Sequence, residues 1–206
     1  MKRNLTLAEQ LLFSTVMIQT SKGLGTGFFL EYTFGEIHVP VFCTNKHVLN
    51  DNPDELVSFR VHLDADRIEE MQTVTIDLEG HWLFHPSEDL AVCLAGPLIQ
   101  GIGKKFEKGL FYRTIGEDTI AKADYLGELD ALEEVTMVGY PLGLSDAVHG
   151  LPIFRKGYTA SHPALDFNGT RRGLMDIAGL PGSSGSPVFI FNQNSYADRY
   201  GNIRVG

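Results

Sequence analysis

The spacing of hydrophobic positions changes period near residue 13. Before that point Leu7, Leu11 and Leu12 fall on one helical face, and Thr6 with Glu9 three residues later matches a capping box, so a short helix is expected. Beyond it, brief β-rich runs are broken by Gly, Pro, Asn and Asp: STVMIQT, GTGFFLEYTF, HVPVFCTN, LVSFRVHL, TVTIDLEG and DLAVCLAG. Those six runs suffice for one small barrel. The stretch from Pro97 to about Asp118 is less periodic and reads as a surface connection. A second series then follows, TIAKADYL, EEVTMVGYP, LPIFRKGYTASH, RGLMDIAG and GSPVFIFN, with a further strand beginning near Tyr200.

The expected fold class is therefore all-β: two antiparallel six-stranded barrels after a short N-terminal helix. Residues 1–100 would hold the helix and the first barrel, and residues 101–206 the second. With only five or six strands countable in its half, the second barrel is expected to lack its closing strand at the C-terminal end, as in a truncated chain.

Composition narrows the partners. The chain has 206 residues, with 17 basic and 26 acidic side chains and a formal net charge of −9. An acidic chain repels phosphate backbones and anionic headgroups on average, so neither nucleic acid nor a membrane surface is an expected partner. Cys43 and Cys93, the two cysteines, both lie in apolar runs and read as reduced, buried thiols. Glu9 and Gln10 interrupt the apolar stretch near the N-terminus, which therefore does not read as an export signal.

The densest chemical signal is PGSSGSPVF, residues 181–189. Small residues in such density suit a turn feeding a strand. They also suit a backbone hollow in which Gly182 and Gly185 let consecutive N–H groups converge behind an exposed hydroxyl. A serine there needs a base. His47 has the best context of the seven histidines, because it follows the β-run ending in Thr44 and Asn45. Asp89 stands at the entrance of an apolar run and is the candidate to orient that base. Three other patterns compete less well. GLGTG at 23–27 lacks the spacing of a dinucleotide loop. His81 and His85 on a strand would lie about 13 Å apart, too far for one metal ion. His62, Asp64 and Asp66 alternate onto one face, as on a solvated strand edge.

Taken in order, these segments resemble the trypsin-like, chymotrypsin-fold serine peptidases. GTGFFLEY with VFCTNKHVL is similar to the family's glycine-bearing strand and T-x-x-H-V segment. EDLAVC is similar to its D-[LI]-A-V segment, and PGSSGSPVF to its G-x-S-G-[GS]-P segment. TMVGYPLG further resembles a run common in bacterial members. The resemblance implies a Ser184 nucleophile, His47 as general base and then acid, and Asp89 as the orienting carboxylate. The N–H groups of Gly182 and Ser184 would form the oxyanion hole. Asp176, Ile177, Ala178, Gly179 and Leu180 would form one wall of the pocket for the residue before the scissile bond. The implied activity is a serine endopeptidase acting on proteins or peptides without metal or cofactor.

Two departures bear on control and compartment. Ser183 stands where the digestive branches carry an activating aspartate, and no cysteine follows His47 closely. Both point to a cytoplasmic, bacterial-type member controlled by a regulatory partner or a fused sensor domain. The alternative expectation is a gated effector or interaction module, for example in stress or phage defence, with little free activity.

Overall fold

In the computed structural model, described for residues 4–63, 73–79, 82–192 and 195–205, the chain is mostly β-sheet. It separates into two compact units. The first comprises Met1–Glu117, Val138–Ile153 and Gly179–Pro187, and the second Asp118–Met137, Phe154–Ala178 and Val188–Gly206.

The first unit opens with α1, Leu7–Ser14, capped as its sequence predicts: the Thr6 side chain accepts from Glu9 N–H, and Glu9 accepts from Thr6 N–H. Buried Leu11 and Phe13 fix it to the sheet that follows. That sheet contains β1 (Thr15–Thr20), β2 (Gly23–Phe34), β3 (Ile37–Thr44), β4 (Leu56–Leu63), β5 (Thr73–Glu79), β6 (Leu83–Phe84) and β7 (Ala91–Leu94). Their order is β5-β4-β1-β2-β3-β7-β6, and every neighbouring pair whose register is defined runs antiparallel. Short β8 (Leu110–Phe111) joins β4, and β9 (Ile115–Gly116) joins β2 in parallel, making nine strands.

Alternation decides which side chains point inward. Val57, Phe59 and Val61 on β4 are buried, and β2 and β3 supply Phe29 and Phe42 directly opposite each other. Phe42 meets Phe29 and Phe59 edge-on at 5.1 and 5.0 Å, and Trp82 lies parallel to Phe59 at 6.4 Å. This aromatic cluster is the centre of the core.

The second unit is built on β10 (Glu134–Gly139), β11 (Ile153–Thr159), β12 (Met175–Asp176) and β13 (Val188–Phe189), in the order β12-β11-β10-β13. Tyr158 faces Asp176, and Met137 faces Val188. A separate hairpin joins β14 (Ser195–Ala197) to β15 (Ile203–Val205).

The all-β class holds, with differences of detail. The strands form sheets of nine, four and two, not two sets of six, and among the described residues no pairing joins the outer strands β5 and β6. The stretch expected to be a surface connection contains α2, Gly96–Phe106, so a boundary between residues 100 and 101 would cut a helix. Pro97 stands in the first turn of α2, and Leu98 and Ile102, four apart, are buried against the core. Burial of that stripe overrides the weak helix propensity of Gly101 and Gly103. Likewise TIAKADYL, expected as a strand, contributes α3, Ala123–Glu128, with Asp124 in its first turn. Among the described residues no helix is long and apolar enough to cross a membrane.

Candidate active site

His47 begins the single helical turn His47–Leu49 that follows β3. Val48 and Leu49 are buried, which anchors the turn, and Asn50 and Asp51 close it in the left-handed region (φ 57° and 55°). The imidazole is thereby held from below while remaining exposed. Asp89 immediately precedes the segment leading into β7, whose first residue, Ala91, is wholly buried. Its main-chain carbonyl accepts from Asn45 Nδ2 at 2.5 Å.

The Asp89 carboxylate accepts twice from His47: Oδ2 lies 2.5 Å from Nδ1, and Oδ1 accepts the main-chain N–H at 3.1 Å. Partial burial acts to raise the Asp89 pKa, but the hydrogen bonds from the His47 side chain and main chain outweigh it and hold the carboxyl below its usual range. An ionised carboxylate is an acceptor only, so Nδ1 must carry the proton of this bond. In the neutral form of the ring the free lone pair is then on Nε2.

The serine loop is two consecutive turns. Ser183 N–H donates to Leu180 O at 2.9 Å, and Ser186 N–H donates to Ser183 O at 3.0 Å. Pro181 and Gly182 occupy the central positions of the first turn, and Ser184 and Gly185 those of the second. Gly182 and Gly185 have φ of +89° and +83°, as the third position of a type II turn demands. Space excludes a side chain at both. A Cβ on Gly182 would press on the Tyr140 carbonyl, and one on Gly185 would press on the Thr26 carbonyl. Ser184 sits at the corner of the second turn, half-buried.

Carbonyl directions set the N–H directions, because each trans peptide points them oppositely. Pro181 O accepts from Leu142 N–H at 2.6 Å and Ser183 O accepts from Ser186 N–H, so the N–H groups of Gly182 and Ser184 point the other way. Among the described residues neither has an acceptor. Two unpaired amides, two residues apart on one loop, can bind an anionic oxygen.

Asp89 and His47 are thus brought into contact, and Ser184 lies in the same compact unit. Among the described residues no hydrogen bond joins Ser184 Oγ to His47. The expected pocket residues divide between units. Asp176, Ile177 and Ala178 belong to the second, where Ala178 O accepts from Arg155 at 2.8 Å, whereas Gly179 and Leu180 belong to the first. Of the competing signals, His81, Asp64 and Asp66 lie outside the described residues. His85 Nδ1 accepts from Glu88 N–H at 2.9 Å and serves its own turn. His62 is buried, its Nε2–H donating to His149 O at 2.6 Å. Burial raises both cysteine thiols to a pKa of about 12, and they are free and buried, as their apolar flanks imply.

What the sequence did not single out is the support of the serine loop: Thr26, Thr44 and Tyr140, all buried. The available signal was the threonine set between two glycines in GTG.

Among the solved structures similar to the chain are two of one protein. One is Rv3671c from M. tuberculosis H37Rv, a serine-to-alanine mutant in an inactive form, at 16% identity and a TM-score of 0.45, covering 88% of this chain and 71% of that one. The other is the Rv3671c protease in its inactive form, at 16% identity and a TM-score of 0.42, covering 87% and 73%. At this level of likeness their protease names assign no role to any residue here. No protein-family model matches the chain, and no curated protein matches it.

Proposed function

We propose that the chain is a serine endopeptidase. Its nucleophile is Ser184, its general base and acid His47, and its orienting carboxylate Asp89. The observation that carries this reading is the double hydrogen bond from His47 to Asp89, which fixes the tautomer and leaves Nε2 free. In the reaction Nε2 takes the Ser184 proton as Oγ attacks a peptide carbonyl. The N–H groups of Gly182 and Ser184 receive the developing oxyanion, a contribution worth roughly 3–4 kcal/mol per donor. His47 then protonates the departing amine, and water hydrolyses the acyl-enzyme by the same route. No step requires a metal or an organic cofactor. The substrate is a protein or peptide, and the segment Asp176–Leu180, with uncharged Ala178, favours an apolar or small residue before the scissile bond. An acidic chain with two unpaired buried thiols suits the cytoplasm.

A second reading, a gated effector awaiting a regulatory partner or fused sensor domain, is favoured by the lack of a Ser184–His47 hydrogen bond among the described residues. Catalytic hydrogen bonds are often formed only in the substrate complex, so the two readings differ in whether the free chain reacts. Labelling by a fluorophosphonate probe separates them. The peptidase reading expects labelling of the free chain, abolished by Ser184→Ala and reduced at least about 10³-fold by His47→Ala. Absence of labelling, or labelling that survives Ser184→Ala, overturns it.

A further inference from the structure

Thr26 is fully buried in β2, yet its polar groups are all engaged and point mainly to the serine loop. Its N–H donates to Ser184 O at 2.8 Å. Its Oγ1 donates to Gly182 O at 2.7 Å and accepts Tyr140 N–H at 3.1 Å. Its own carbonyl accepts from Thr44 Oγ1 at 2.8 Å and is the surface against which Gly185 is packed. One residue therefore grips the carbonyls of Gly182 and Ser184 and backs Gly185. Thr44, at the end of β3 three residues before His47, in turn grips Thr26.

We infer that Thr26 is the positioning residue of the nucleophile loop. Resting on the peptidase reading, this assigns it the task of presenting the Ser184 hydroxyl and the free amides in one fixed orientation. The physical reason lies in the peptide planes. Each turn of the loop can rotate its central peptides while keeping its own closing hydrogen bond. Thr26 N–H fixes the central peptide of the second turn through Ser184 O, and Thr26 Oγ1 fixes the Gly182–Ser183 peptide through Gly182 O. The peptides that carry the free Gly182 and Ser184 amides lie on either side of that Gly182–Ser183 plane, so holding it limits their swing. A β-strand interior is stiff, so the constraint passes from the core to the corner on which Ser184 stands. A valine in place of Thr26 has the same shape but cannot hold Gly182 O. A serine keeps the hydroxyl.

The test compares Thr26→Val with Thr26→Ser in the full chain, using two readouts. Amide hydrogen exchange over residues 179–189 reports loop restraint without turnover: Thr26→Val is expected to exchange at least tenfold faster there, and Thr26→Ser to stay within threefold of the parent. The fluorophosphonate labelling rate is expected to fall on the order of 10- to 100-fold in Thr26→Val, with the probe concentration at half-maximal rate unchanged and the rate restored in Thr26→Ser. A merely structural role would lower thermal stability without that split or that rescue. If Thr26→Val does not fold, Thr44→Val, which frees Thr26 from β3 alone, is expected to give a smaller change in the same two readouts. Unchanged exchange, or Thr26→Val labelled at the parent rate, overturns the inference while leaving the peptidase reading standing. A parent chain that is not labelled, but whose loop exchange depends on Thr26, overturns the peptidase reading and leaves the clamp.

Discussion

His47 and Asp89 are exposed side chains joined by charge-assisted hydrogen bonds at the rim of the first unit, whereas Ser184 stands on a loop whose main chain is tied into the buried interior of β2. The first arrangement depends on which side chains are present. The second depends on where backbone carbonyls point, with side chains serving as clamps. Exposed ion pairs contribute little to stability, while a buried main-chain grip contributes to both stability and geometry. The two regions should therefore respond oppositely to substitution, one losing chemistry and the other losing structure.

The largest effect expected is from Asp89→Asn. The amide can hold His47 in the wrong tautomer, so turnover or fluorophosphonate labelling should fall about 10⁴-fold. Stability to urea should change by less than about 1 kcal/mol. A large loss of stability would show that the pair is structural and would erase the contrast.

Gly185→Ala should behave in the opposite manner. Its positive φ and the Thr26 carbonyl behind it leave no place for a methyl group, so a loss of about 2–3 kcal/mol is expected. In thermal unfolding this should appear as a fall in Tm on the order of 5–10 °C. An unchanged Tm would mean that the loop is not held rigidly.

The smallest effect concerns acid. His47 hydrogen bonds hold the Asp89 carboxyl below its ordinary range against the opposing pull of partial burial, so the folded chain binds this proton less readily than the unfolded chain. The stabilisation is complete above the ordinary carboxylate pKa of about 4 and is lost as pH falls through the lowered value. Urea unfolding at a series of pH values should show a slightly steeper acid loss in the parent than in Asp89→Asn, and identical slopes would contradict it.

The same contrast explains what could be read from the sequence. Period-two alternation exposed β4 through Val57, Phe59 and Val61, and the capping box exposed α1. Strand ends beside His47 and Asp89 made those residues stand out, since the roles proposed for them lie in their own side chains. Helix α2 was hidden because its buried stripe, Leu98 and Ile102, is interleaved with glycines, and α3 because it has only six residues and the β-formers Thr119 and Ile120 stand shortly before it. Thr26 was hidden for another reason. Its partner, Gly182 O, lies 156 residues away and is a backbone atom that every residue possesses, so no residue type marks it.

The two cysteines lead to a practical result. Both are buried, and burial raises their thiols to a pKa of about 12, so at neutral pH almost no thiolate is available to an alkylating reagent. The native chain is thus expected to react very slowly with iodoacetamide at its cysteines. A Ser184→Cys chain would present one accessible thiol against that background, and, on the peptidase reading, the pH profile of its alkylation would report proton transfer to His47 with no substrate required.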